Sequence, residues 1–207
     1  MARSYLPDGE AEVLLYGAIL SDDLSAKDVV QQLQALPHNT RMLHLRVNSP
    51  GGSTAEASAI IAHINRVKAG GVRIVAHIDG VAFSAASWII AATADEVLMA
   101  EDAMVMLHDA SVGISGKAED LRRGAVILDK VSAEMRRDYA RYLGRRDDEV
   151  AALMLAETFW TAEEAIANGF ATGIEGALKL AAAFVPTPDR SIGAMAQRYW
   201  ANRGARS

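Results

Sequence analysis

A chain of 207 residues, 51% hydrophobic and 23% charged, has the balance of a compact folded protein rather than a disordered one. Its formal charge of -5 argues against nucleic acid as the main partner, and the Arg-rich end (Arg198, Arg203, Arg206) reads as a solvated tail. The absence of cysteine excludes disulfides, thiolate metal sites and a cysteine nucleophile, and it suits a reducing cytoplasm. "MARSYLPDGEAEV" has no apolar core of a secretory signal, and the longest apolar stretch, Trp88 to Ala94, is too short to span a bilayer. A cytoplasmic location with no membrane partner is expected.

"EVLLYGAIL" (12–20) is a β-rich run closed by the turn residues Ser21, Asp22 and Asp23. In "SAKDVVQQLQAL" (25–36), Ser25 is a helix N-cap, and Val29, Val30, Leu33 and Leu36 recur at helical spacing. "RMLHLRV" (41–47) alternates as a strand, and "NSPGGS" (48–53) breaks it. A helix from about Thr54 to Lys68 ends at "AGG"; "VRIVAHI" (72–78) is the next strand, and a third helix begins near Ser84. This β-α-β-α-β-α order with short connections predicts a parallel sheet covered by helices.

"EVLM" (96–99) and "MVMLH" (104–108) add two short strands. A helix over 117–143 follows, ~27 residues and thus about 40 Å long, more than a core of this size needs. It reads as a helix that projects to meet another subunit, with Val131 and Met135 near the contact, the alternative being a bent or broken helix lying across the sheet. Shorter helices fit 147–155 and 161–169, the second with a Thr161/Glu164 capping box. One domain over 1–185 and a loosely ordered tail over 186–207 are expected.

Three stretches carry the chemistry. In "GVAFSAASWIIAA" (80–92), Ser84 stands between a strand and a helix N-terminus, where unpaired amides can bind developing negative charge. Taken alone, the stretch reads more readily as packing, with Ser84 or an earlier residue as N-cap and Ser87 as a small helix residue. In "NSPGGS", glycines directly after a strand offer exposed amides and an edge for an extended peptide, or form an ordinary strand-to-helix turn. Among the histidines, His38 and His63 read as solvated, and His44 and His77 as packed strand residues. His108 ends its strand at the carboxyl edge of the sheet, where catalytic groups gather in parallel α/β folds. Its neighbour Asp109 points to the other face and should not orient it.

Read together, "NSPGGS", "GVAFSAAS", "MVMLHDA" and "ETFWTAEEAIANGFA" (157–171) resemble, in order, the motifs of the Clp peptidase family of serine proteases, over roughly residues 12 to 175. The resemblance implies an α/β fold of the ClpP/crotonase type, with a parallel sheet, a short second sheet and a projecting handle helix over 117–143. It implies Ser84 as nucleophile, His108 as general base and Glu157 as the acid, where the family usually has Asp. Gly52 and Ala85 match the oxyanion-hole amides, and Gly51 and Phe83 flank the strand-docking groove. It further implies a homo-oligomeric ring acting on protein or peptide substrates, with no metal and no organic cofactor.

Phe83 departs from the family's small residue before the nucleophile and should narrow the pocket or alter strand docking. The amino-terminal region lacks the arginine-rich processing and axial-loop segment of housekeeping members. That start, "SGKAEDLRRGAVILDKVSAEM" and "LMLAETFWTAEEA" are similar to the phage and prophage branch, associated with head maturation by trimming scaffold and capsid proteins. The rival expectations are a housekeeping proteolytic subunit fed by a Clp-type ATPase, a crotonase-like acyl-CoA enzyme, and an inactive ring-scaffold paralogue.

Overall fold

The computed structural model describes residues 6–175, so the tail expected over 186–207, with its arginines, lies outside them. Alternating apolar residues make β1 (Glu10–Tyr16) and β2 (Met42–Ser49), with Ala11, Val13, Leu15, Leu43, Leu45 and Val47 buried on one side. With β3 (Arg73–Phe83), β4 (Glu96–Met99) and β7 (Gly173–Ile174) they form a parallel sheet in the order β1-β2-β3-β4-β7. Parallel neighbours need crossovers rather than tight turns, and α1 (Ala26–Gln34), α2 (Thr54–Ala69) and α3 (Ala85–Thr93) supply them. Val29, Leu33, Ala57, Ile60, Ile64, Ile89 and Ile90 bury their side chains in the core.

Ser25 caps α1 as expected: its Oγ accepts the Asp28 N–H at 3.2 Å, and the Asp28 carboxylate accepts the Ser25 N–H at 3.1 Å. The amide of Gln32 covers the exposed edge of β1, accepting the Leu14 N–H at 2.9 Å and donating to the Leu14 carbonyl at 3.2 Å.

β3 runs on past the expected strand and has two sets of neighbours. Val75–Ile78 pair with β4, whereas Val81–Phe83 pair with β5 (Met104–Leu107). The β2–β3 register shifts at this change of partner, and Asn48 Oδ1 accepts the Val81 N–H there at 3.3 Å. β6 (Thr158–Thr161) pairs antiparallel with β5. The expected short second sheet is therefore a branch of the main one. β6 escaped sequence reading because its four residues sit between two helices with no room for a periodic signal.

α4 (Ala118–Leu143) is the expected long helix, followed by α5 (Asp147–Leu155) and α6 (Ala162–Ala167). The Thr161/Glu164 capping box forms. The expectation that Met135 lies near a subunit contact is corrected: Met135 is fully buried in the core, and Val131 packs partly buried against it. Helical spacing places 132, 135 and 139 on one face, and that face turns inward. The exposed large hydrophobic residues of α4 are Leu121, Val126 and Ile127, in its first half. Among the described residues no helix is long and apolar enough to cross a membrane.

The sheet face opposite α1 and α2 carries a polar network. Arg46 Nε donates to Asp79 at 2.9 Å, the Tyr16 hydroxyl donates to Asp79 at 2.6 Å, and Arg46 also reaches Glu175 at 3.4 Å. His77 Nδ1 lies 3.2 Å from Glu175 and its Nε2 lies 2.8 Å from His44 Nδ1, while His44 Nε2 lies 2.9 Å from Glu10. Burial pushes the His77 imidazole below its ordinary value of 6.5; Arg46 and His44 push the same way, against the attraction of Glu175. Below pH 6.5 the unfolded chain therefore binds a proton at this residue that the folded chain resists. Stability should fall on acidification from pH 7.5 to 5, and His77→Phe should make that fall shallower. Thermal denaturation of both proteins at both pH values checks this; identical slopes would contradict it.

Candidate active site

β2, β3 and β5 all end at one edge, and the segments leaving them meet. Ser84 links β3 to α3 within a single residue, which forces φ 57 and ψ -121. Its N–H donates to the Met106 carbonyl at 3.0 Å, and its carbonyl accepts the Trp88 N–H at 3.0 Å. Ser84 occupies the N-cap position of α3, but its side chain makes no cap hydrogen bond. Instead Oγ lies 2.6 Å from His108 Nε2. From Gly80 to Ala94, Ser84 is the one residue that is not buried.

His108, 5% exposed, stands immediately after β5. The pairing of Phe83 with Met106 brings it to Ser84, which follows Phe83 by one residue while His108 follows Met106 by two. Glu157 precedes β6. Leu107 pairs with Thr158 as the last pair of the antiparallel β5–β6 ladder, and His108 and Glu157 are the residues that adjoin that pair on the two strands. Glu157 is half-buried, its N–H donates to the Met154 carbonyl at 3.1 Å, and its φ is 49. Ser84 and Glu157 are the two non-glycine residues with positive φ among the described residues. Such backbone strain tends to concentrate at functional sites.

The loop after β2 closes the third side. Gly51 has φ 85, and a Cβ there would stand 2.4 Å from the Phe83 carbonyl and 2.8 Å from Ser84 Cβ. Gly52 has φ 148, and a Cβ there would stand 2.3 Å from the Ile19 carbonyl. Ile19 N–H donates to the Gly51 carbonyl at 2.8 Å, and Ser53 N–H donates to the Ile19 carbonyl at 2.7 Å. These bonds hold the loop against the segment after β1. The Gly51 N–H is directed to Ser49 Oγ at 3.2 Å, while Ala85 contributes the first amide of α3, one that a helix cannot satisfy internally.

Phe83 turns its ring into a small satellite cluster with Val81 and Met106, edge-on to Phe159 at 5.5 Å between centroids. Its carbonyl lies beside Gly51. His38 is exposed, and His63 contacts Arg66 on α2. His44 and His77 belong to the polar network on the sheet face opposite α1 and α2 rather than to this edge. Sequence reasoning missed the hydroxyls beneath the site. Ser87, Ser132 and Tyr139 are buried and hydrogen-bonded there, and two of them hid among the apolar positions of a long helix.

A serine hydroxyl held on an imidazole beside the first amides of a helix is the constellation of serine hydrolases. The chain belongs to the Clp protease family, whose match spans residues 8–176, and it is a serine peptidase of that family. It is 28% identical over 159 residues to the ATP-dependent Clp protease proteolytic subunit 2 of Bacillus licheniformis, covering 76% of this chain and 82% of that one. Its identity to proteolytic subunit 1 of Corynebacterium diphtheriae is 32% over 152 residues, covering 72% of this chain and 71% of the relative. Subunit 1 of Thermobifida fusca is 28% identical over 158 residues, covering 74% and 70%.

Proposed function

We propose that the chain is a serine endopeptidase in which Ser84, His108 and Glu157 form the catalytic triad. The approach of Ser84 Oγ to His108 Nε2, at 2.6 Å from a strained turn, carries this reading. Ser84 attacks the scissile carbonyl as His108 takes its proton; His108 then returns that proton to the leaving amine. Glu157 holds the imidazole tautomer and stabilises its cation. The Gly52 and Ala85 amides receive the oxyanion, and the backbone along Gly51 and Phe83 docks the peptide as an extended strand. An acyl-CoA enzyme needs no hydroxyl on an imidazole, which disfavours that alternative.

Glu157→Gln should lower kcat by up to roughly 10⁴-fold through loss of tautomer control, whereas Glu157→Asp keeps partial activity. Steady-state kinetics on a fluorogenic peptide amide read both; equal rates for wild type and Glu157→Gln would leave the residue without a catalytic part.

The relatives support a proteolytic subunit of an ATP-dependent Clp-type protease as the biological setting. Exposed Leu121, Val126 and Ile127 on α4, with Val112 and Ile114 in the preceding loop, support assembly into a ring of like subunits. A second setting, head maturation on scaffold and capsid proteins, draws support from the likeness of "SGKAEDLRRGAVILDKVSAEM" to phage and prophage members. Degradation of a folded protein only with a Clp-type ATPase and ATP favours the first setting; ATPase-independent trimming of a scaffold protein favours the second.

A further inference from the structure

α4 passes behind both Ser84 and His108. Its buried face carries two hydroxyls, Ser132 and Tyr139, seven residues and so ~10 Å apart along the axis. Ser132 Oγ accepts the N–H of Ala110 at 3.0 Å, two residues beyond His108. The Tyr139 hydroxyl meets Ser87 Oγ at 2.8 Å and lies 3.3 Å from the Ser84 carbonyl. Ser87 Oγ in turn lies 2.6 Å from the Met106 carbonyl and 2.8 Å from the Ser84 carbonyl. Ser87 and Tyr139 are both fully buried.

Counting hydrogens orders these contacts. Ser87 has one O–H for two carbonyls, and the shorter distance assigns it to Met106. Tyr139 then donates to Ser87 Oγ, and burial, which pushes its phenol well above the ordinary value, keeps it a donor. The relay Tyr139 to Ser87 to Met106 ties α4 to α3 and β5. The same Met106 carbonyl accepts the Ser84 N–H at 3.0 Å, so one carbonyl on the strand that delivers His108 also anchors the start of α3. Beside it, Trp88 Nε1 donates to Asp138 at 2.7 Å and pins the two helices together.

Alanine at 87 and phenylalanine at 139 would fill nearly the same space without any polar group to satisfy, so packing alone does not call for this chain. We propose that Ser87, Tyr139 and Ser132 are positioning residues that set the approach of Ser84 to His108. The first two fix the start of α3 against β5, and the third fixes the segment leaving His108. They act through the backbone, and the proposal rests on the reading of Ser84 and His108 as nucleophile and base.

The test uses the full chain carrying Tyr139→Phe, Ser87→Ala or Ser132→Ala, assayed well below the melting temperature of each. The readouts are kcat and KM on a fluorogenic peptide amide and the rate of fluorophosphonate labelling. A displacement of ~1 Å can cost about 100-fold, so kcat and labelling should fall roughly 10- to 100-fold while KM stays within about twofold. Tyr139→Phe combined with Ser87→Ala should be no slower than Ser87→Ala alone, because both break one relay. Folded variants that react within about twofold of wild type, or whose losses follow their folded fraction, would overturn the proposal. Should Ser87→Ala fail to fold, Tyr139→Phe, which loses a single oxygen, decides. Ser84→Ala separates the two readings. If it still turns over peptide, the nucleophile is misassigned; if it is silent while Tyr139→Phe runs at the wild-type rate, the positioning role alone fails.

Discussion

Ser84→Ala should abolish measurable peptide turnover and leave the fold intact. The substitution removes the hydroxyl that lies 2.6 Å from His108 and keeps both backbone bonds that hold the turn, to Met106 and from Trp88. Alanine and serine bear the positive φ at nearly equal cost, so the melting temperature should change little. What remains is the contribution of binding and oxyanion stabilisation, about 10³–10⁴-fold over water in serine proteases stripped of a triad member. His108→Ala should fall to a similar level, and the double variant should be little worse, since the two groups act as a unit. Burst kinetics and steady-state rates on a fluorogenic peptide amide measure this. Full activity in Ser84→Ala, with activity lost in Ser87→Ala, would contradict the assignment.

Gly51→Ala should damage both stability and catalysis. Its φ of 85 costs an L-residue roughly 1–2 kcal/mol. The added methyl would also stand 2.4 Å from the Phe83 carbonyl and 2.8 Å from Ser84 Cβ, and relieving such an overlap costs about 1–3 kcal/mol more. Any relief moves the loop away from Ser84 or moves Ser84 away from His108, so activity in the folded fraction should fall as well. Gly71→Ala is the control: its φ is 91, yet a Cβ there meets nothing within 4 Å. It should lose stability through the backbone alone and keep wild-type kcat. Denaturation and kinetics on both variants give the comparison, and equal behaviour of the two would contradict the close packing of Gly51 on the nucleophile turn.

Much of the scaffold was legible because local patterns agreed with it. The alternation in β1 and β2, the Ser25 and Thr161 caps, and the glycines after β2 each have a local physical cause that the sequence displays. Ser84 was harder to read, because a serine before an apolar helix is ordinarily its cap. Only the long-range pairing of Phe83 with Met106 turns its side chain to His108 instead. Glu157 was nameable through the motif, whereas its place beside the end of the β5–β6 ladder, next to His108, depends on a pairing that no local signal announced.

The same limit explains Met135 and Tyr139. Helical periodicity gives the face on which residues lie but not what that face meets. The long helix was therefore read as an interface ahead of a helix lying across the sheet, and half of it roofs the core. The polar partners of Tyr139 and Ser132 lie on α3 and after β5, far away in sequence. His44 and His77 were read as packed strand residues, and their engagement with Glu10 and Glu175 across the sheet came only with the register of β1, β2 and β3.

Fluorophosphonate labelling followed by peptide mapping in the mass spectrometer tests the central claim most directly. A serine whose hydroxyl is activated by a neighbouring imidazole is phosphonylated, and an ordinary serine is not. Wild type should take up one adduct per chain, located on Ser84, and His108→Ala should take up essentially none. An adduct on Ser87 or any other serine, or equal labelling of wild type and Ser84→Ala, would contradict the account.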